Sequence, residues 1–373
     1  MGNALKGVPF FYLLNKKINI TYNINMLSIL LTGGGTAGHV IPCLNLLPEL
    51  KTKFDKIYYI GSKDGIEKEL VTKAGIDFYS VTCVKLKRKL TPENLSIPFK
   101  LAKGIIEAKR LLKKLNPSVV FSKGGYVSLP VVIASYKLKI PVITHESDIT
   151  AGLANKIASK YSMLTLTSFP ETVKEFKNGL HVGCPLKKDL NSYDKRSCLS
   201  EFSFEDSKPV LLVFGGSLGS VTLNNALLSA LPELKRHFNV LHVTGKKNYD
   251  KFYKSNGYTP LPFVDNMSKA YSVADVIVSR SGANSAFEIL SLNKPVVFIP
   301  LAKGESRGDQ ILNAEYFAKK GYAYLLPEQL LTEKSFIYAV FTVYFGSKNK
   351  PFNAEIDDAS KKIATILFKN AKR

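Results

Sequence analysis

No stretch of these 373 residues reaches the roughly 18 to 20 consecutive apolar residues that a membrane-crossing helix needs, so any membrane contact has to be peripheral. Cysteine is sparse: Cys43, Cys83, Cys184 and Cys198 are scattered and form no Cys-x-x-Cys pair. That argues against a zinc site and a disulfide framework, and it fits a reducing, cytoplasmic compartment. Acidic side chains are in short supply, 30 against 52 Lys and Arg, which leaves a formal charge of +22 and a surface that attracts polyanions or an anionic membrane. Low-complexity sequence is absent, and 45% hydrophobic to 22% charged residues is the balance of a folded chain rather than a disordered one.

The length suits two domains of roughly 150 to 200 residues. Leu27–Thr32, Lys56–Ile60, Val119–Phe121, Pro141–Thr144 and Met163–Leu166 read as buried strands separated by segments of helical length, the signature of an α/β fold with a mostly parallel sheet. A second series repeats the pattern at Pro209–Phe214, Val240–Thr244, Val276–Ser279, Pro295–Ile299 and Tyr322–Leu325. Between them, residues 188–208 have the composition of a linker. The expected division is therefore 26–187, linker 188–208, and 209–373, with a final helix in 353–368 that can pack on either half. Residues 1–25 lack the cleavage site of a signal peptide. Met26 directly precedes the first strand and reads as the true start, leaving 1–25 as a misassigned extension or a membrane-proximal tail.

The first strand runs into Gly33-Gly34-Gly35-Thr36-Ala37-Gly38-His39, where glycines let backbone N–H groups approach a phosphate at a helix N-terminus. The spacing also matches the dinucleotide fingerprint, but the second strand ends Ile60-Gly61-Ser62-Lys63 without the acidic residue that a nicotinamide ribose needs. The second series opens alike, with Gly215-Gly216-Ser217-Leu218-Gly219-Ser220. Either loop can hold an anion or be only a tight turn. Ser279-Arg280-Ser281-Gly282 opens a helix that carries Glu288, placed for ribose hydroxyls or for solvent. Asp309, Gln310 and Asn313 gather at another helix start, where they can bind a sugar or, for Asp309, cap the helix.

Together Gly33–Val40, Ser122-Lys-Gly-Gly-Tyr126, His145-Glu-Ser-Asp148, Gly215-Gly-Ser217, Ser279–Glu288 and Gln310–Ala314 resemble the MurG family of UDP-N-acetylglucosamine:undecaprenyl-pyrophosphoryl-N-acetylmuramyl-pentapeptide N-acetylglucosaminyltransferases. The likeness spans nearly the whole chain from Met26. It implies a GT-B fold, two Rossmann-like domains facing a cleft, with UDP-GlcNAc held mainly by the second and the undecaprenyl-linked muramyl-peptide acceptor, lipid I, by the first. It places Ser217, Ala283, Asn284, Ser285, Ala286, Phe287 and Glu288 on the nucleotide and diphosphate, Gln310 on the sugar, Thr36, Ala37 and Gly38 on a phosphate, and Val264 against the uracil. Tyr126, Asp148, Lys187, Arg280 and Asn313 complete the expected substrate-binding set. Asp148 stands where many members have Asn and Lys187 where many have Arg, and a lysine supplies charge without a bidentate fork.

Such a transfer needs a base for the acceptor's C4 hydroxyl and stabilisation of the leaving diphosphate. His39 is the first candidate base and Glu146 the second. No Asp-x-Asp motif suited to a metal clamp occurs at a strand end, so neither metal nor other cofactor is expected. Inversion to a β-1,4 linkage follows from the resemblance. Residues 85–115 carry ten basic and two acidic side chains interleaved with Leu95, Ile97, Phe99, Ile105 and Ile106, as a surface resting peripherally on the cytoplasmic face of an anionic membrane would. No nucleic-acid module accompanies that charge. The alternatives are a diacylglycerol sugar transferase, a nicotinamide-dependent oxidoreductase, or a non-catalytic binding scaffold.

Overall fold

The computed structural model describes residues 26–84, 96–205, 207–216, 218–302, 307–349 and 354–372. The expectations for residues 1–25, for Ser217 and for the basic stretch 85–95 lie outside them. The first half runs β1 (Ser28–Thr32), α1 (Ala37–Asn45), α2 (Leu47–Leu50), β2 (Lys56–Ser62), α3 (Ile66–Lys73), β3 (Asp77–Val81) and α4 (Ile97–Leu115). It continues with β4 (Val119–Ser122), α5 (Leu129–Lys137), β5 (Val142–Glu146), α6 (Leu153–Ser159), β6 (Leu164–Thr167) and β7 (Gly179–His181). The second half runs α7 (Lys195–Glu201), β8 (Val210–Phe214), α8 (Val221–His237), β9 (Asn239–Val243), β10 (Tyr258–Leu261), α9 (Met267–Val273) and β11 (Val276–Ser279). It ends with α10 (Ala283–Ser291), β12 (Val296–Phe298), α11 (Asp309–Lys319), β13 (Tyr324–Leu325), α12 (Glu333–Asn349) and α13 (Ser360–Lys369).

Among the described residues every pair of these strands is parallel, in the orders β3-β2-β1-β4-β5-β6-β7 and β10-β9-β8-β11-β12-β13. The central strands are short runs such as Ser-Ile-Leu-Leu-Thr and Val-Leu-Leu-Val-Phe with every residue buried, because helices cover both faces of a parallel sheet. Three strands not expected from the sequence, β3, β7 and β10, all lie at sheet edges. β7 is three residues with two exposed, and β10 contains Pro260, which an edge strand tolerates because its missing N–H leaves no inner ladder bond unmade.

The segment expected as a linker is more than that. Asp194 caps α7 by accepting from Ser197 N at 2.9 Å, and Cys198, Leu199, Phe202 and Phe204 are buried in the core of the second sheet with Leu212 and Ile277. Its polar residues had masked an apolar face. The last helix crosses back: Ile363, Ala364 and Leu367 of α13 join Ile29, Leu31 and Val40 in the first core, and Phe368 meets Phe54 edge-on at 6.1 Å.

Candidate active site

Strand order reverses between β1 and β4 in one sheet and between β8 and β11 in the other. Loops diverge at such points and leave a crevice beyond the carboxyl ends of the strands, where open α/β sheets bind ligands. The glycine loop 33–38 follows β1, Lys123–Tyr126 follows β4, Gly215–Ser220 follows β8, and Arg280–Gly282 follows β11. The two crevices face each other and touch. Asn284, in the first turn of α10, donates from Nδ2 to Gly38 O at 2.8 Å. Asn313 of α11 donates to Asp148 Oδ1 at 3.1 Å and accepts from Ile149 N at 3.0 Å. Arg307 pairs with Asp148 at 3.0 Å.

In the first loop Gly35 has φ +84, and a Cβ there would lie 2.6 Å from the Tyr126 ring. Only glycine fits. Beneath it sits Glu67, fully buried, accepting from Ser62 N at 2.9 Å, from the Ser62 hydroxyl and from Gly35 N at 3.4 Å. A carboxylate therefore takes one of the N–H groups expected for a phosphate, and it is too enclosed to receive a nicotinamide ribose. Nothing in the sequence distinguishes Glu67 from exposed Glu69 in the same helical turn. Thr36 begins α1 without a side-chain capping bond; its hydroxyl lies 2.9 Å from His39 Nδ1 instead. Burial, then the positive charges of Lys123 and Arg307, push the His39 imidazole down to about 4, so it is neutral at physiological pH. In the tautomer whose Nδ1–H donates to the Thr36 hydroxyl, Nε2 keeps a free lone pair and can take a proton.

Lys123 is 1% exposed and has no carboxylate within ion-pair distance among the described residues; its ammonium donates to the Ser147 hydroxyl. Its motif, Ser122–Tyr126, carries no sign of this role, because burial of a charge has no local signature in sequence. Glu146 is occupied differently from a base. Its two oxygens accept from Ser147 N, Asp148 N, Gly152 N and Asn155 Nδ2 at 2.8 to 3.1 Å, which shapes the loop from 146 to 152 and leaves no lone pair directed at a substrate. Asp148 is crowded: burial and then the charges of Glu146 and Asp309 raise its carboxyl to about 7 despite Asn313 and Arg307.

The second loop carries no acid. Gly219 has φ +76, and a Cβ there would stand 2.2 Å from Thr244 O. Ser220 caps α8 by accepting from Leu223 N at 3.3 Å. Arg280 departs from the expected ligand contact: it is buried, and its guanidinium donates to Ile299 O, Pro300 O, Ser220 Oγ and the Glu328 carboxylate. It holds three loops in place with both terminal nitrogens committed, while its buried Nε–H has no partner among the described residues. The side chains of Ala283, Ala286 and Phe287 are likewise turned inward, with Phe287 against Phe169 at 5.0 Å. What that turn presents is backbone, since Gly282 begins α10 with no capping side chain and the first-turn N–H groups favour negative charge. Ser285 is half-buried beside them.

Glu288 is no solvated helix residue. Tyr271 donates to it at 3.2 Å, and burial raises its carboxyl to about 7, with that bond and Lys187 opposing. Lys187 itself bonds Asn266 at 2.7 Å and Ser268 at 3.3 Å and pairs with Asp189 at 3.2 Å. Val264 is half-buried on the second core. Gln310 accepts from Leu301 N at 3.1 Å, and Asp309 sits after the N-cap Gly308, paired with Arg307 at 3.5 Å rather than capping. Asn313 is fully buried with its amide shared among Asp148, Ile149 and Ser281, a strut between the halves rather than a sugar contact. Among the described residues, no three His, Cys, Asp or Glu side chains group as a metal site.

The glycosyltransferase family 28 N-terminal domain matches residues 29–166, and the glycosyltransferase family 28 C-terminal domain matches residues 210–367. A UDP-N-acetylglucosamine--N-acetylmuramyl-(pentapeptide) pyrophosphoryl-undecaprenol N-acetylglucosamine transferase of Clostridium tetani is 43% identical over 341 residues, covering 88% of this chain and 95% of its own. One of the same name from Clostridium botulinum is 42% identical over 357 residues, 93% of this chain and all of its own. The crystal structure of Acinetobacter baumannii MurG superimposes with a TM-score of 0.68 at 25% identity, over 92% of this chain and 99% of that one. A UDP-GlcNAc 2-epimerase from Neisseria meningitidis, bound to UDP-GlcNAc, shares the fold at a TM-score of 0.66 and 15% identity, over 92% of this chain and 100% of that one. With two opposed parallel-sheet halves and such identity over most of its length, the chain belongs to the MurG family of glycosyltransferases.

Proposed function

We propose that this chain transfers GlcNAc from UDP-GlcNAc to the C4 hydroxyl of MurNAc in undecaprenyl-pyrophosphoryl-MurNAc-pentapeptide, turning lipid I into lipid II with a β-1,4 linkage. The observation that carries the reading is identity of 42 to 43% along most of the chain to transferases named for that reaction. In this reading the first half holds the acceptor and the second the donor. His39 Nε2 takes the C4 proton as the oxygen attacks C1 of GlcNAc, and the bond from C1 to the β-phosphate oxygen breaks with its electrons leaving on UDP. The backbone N–H groups at the start of α10 and α8 stabilise that charge. Ionised Glu288 accepts from the ribose hydroxyls, Val264 lies under the uracil, and Gln310 faces the sugar.

The membrane reading rests on α4. Gly104, Ala108 and Leu112 face inward, while Phe99 (78% exposed) and Ile106 (54%) stand on the outer face among Lys103, Arg110 and Lys113. Apolar side chains ringed by cations are suited to a peripheral seat on anionic lipid at the cytoplasmic face, and no helix among the described residues is long and apolar enough to cross a bilayer. The test is product analysis with labelled UDP-GlcNAc and two acceptors, a lipid I analogue and diacylglycerol. Label on the muramyl acceptor alone supports the proposal; label on diacylglycerol alone, or on neither, overturns it.

A further inference from the structure

Lys123, Ser147, Asn284 and Gly38 form a chain that crosses from one half to the other. The ammonium of Lys123 can only donate, and it donates to Ser147 Oγ. Ser147 must then send its own proton onward, to Asn284 Oδ1 at 3.3 Å, where Cys184 Sγ also points at 3.6 Å. With its oxygen accepting, Asn284 must donate from Nδ2, and its partner is Gly38 O at 2.8 Å. The residue next to Gly38 is His39. One buried cation thus fixes the direction of every bond up to the glycine loop, and such directional chains reinforce one another in a low-dielectric interior.

We propose that Lys123, Ser147 and Asn284 act together as positioning residues, a polarised relay that seats the donor-side helix α10 on the loop carrying His39 and so sets the distance between donor and acceptor. A buried ammonium without a counter-ion is costly, and a relay ending on a carbonyl at the reacting centre gives it a function that packing alone would not require. The proposal rests on the reading of His39 as the residue at that centre. Neither Asn284, expected only to touch nucleotide, nor Lys123 had been assigned this role by its motif.

The test is a double-mutant cycle on the full chain, reading kcat with UDP-GlcNAc and a lipid I analogue alongside calorimetric affinity for UDP. Asn284→Ala, at a half-buried position that tolerates truncation, is expected to lower kcat about tenfold, the worth of a net hydrogen bond at the upper end of the usual range, with UDP affinity changed less than threefold. Lys123→Met and Ser147→Ala should each lose a similar factor, Ser147→Thr should restore it by keeping the hydroxyl, and Lys123→Met with Asn284→Ala should be no worse than either alone. Losses that multiply, a Ser147→Thr no better than Ser147→Ala, or UDP affinity that falls in step with kcat would overturn the relay. His39→Ala runs in the same series. Normal transfer in that variant removes the catalytic reading of the loop, whereas the coupling among the three others is measured independently of it.

Discussion

The two glycine loops are nearly the same phrase in sequence and are wired differently. Both follow the central strand of a parallel sheet and both open a helix. The first has a buried carboxylate, Glu67, beneath Gly35 and an imidazole at its far end. The second has no acid; its helix cap Ser220 is held by a buried arginine that donates to it at 2.7 Å. A negative charge under one loop works against a second anion there, while the other loop keeps its backbone donors and helix dipole for a diphosphate. Spacing identifies the turn, and the charge packed beneath it decides the chemistry. Under the proposed function, the first loop is the place for proton transfer and the second, with α10, the place for the nucleotide.

The sharpest way to break that division is through the arginine. Arg280→Met strands the Glu328 carboxylate in the interior and frees Ser220, so it should cost about 3–5 kcal/mol of stability, read as a fall in denaturation midpoint together with weaker UDP binding. A variant that unfolds normally yet loses UDP would make Arg280 a ligand contact after all. Glu288→Gln comes next, with UDP affinity down by about 1.5–3 kcal/mol. The sign of its pH dependence follows from a carboxyl raised to about 7. Ribose hydroxyls donate to the ionised form, so wild-type affinity should be level above pH 7 and fall below it, and the slope should vanish in Glu288→Gln. The unliganded protein pays the reverse: between about 4.5 and 7 the folded state binds more protons than the unfolded one, so stability falls as pH rises through that window. Smaller still is the lipid effect. Lys103→Glu on α4 should weaken binding to anionic vesicles by roughly 1 kcal/mol per charge removed, leaving UDP affinity unchanged in calorimetry.

Much of this was legible beforehand. The central strands were readable because a strand buried on both faces is a continuous apolar run, and the edges β3, β7 and β10 were not, because an edge needs no such run. The glycine motifs located the cleft, since their spacing is dictated by the turn itself. What they could not convey was occupancy. Whether Arg280 or Asn313 faces a ligand depends on partners tens to hundreds of residues away, as with Arg280 and Glu328 or Asn313 and Ile149, whereas Glu146 is closed off by the fold of its own loop. The same is true of Glu67 and Lys123, whose burial is a property of the packed interior alone.

The division of labour between the loops is tested most directly by measuring kcat and UDP affinity together in His39→Ala. A general base contributes typically 10²- to 10⁴-fold, so kcat should fall by that order while UDP affinity stays within about threefold. With an imidazole held near 4, the wild-type rate should also show no loss from this group above about pH 5. Near-normal kcat, or a loss of UDP affinity as large as the loss of rate, would contradict the assignment of chemistry to the first loop and nucleotide to the second.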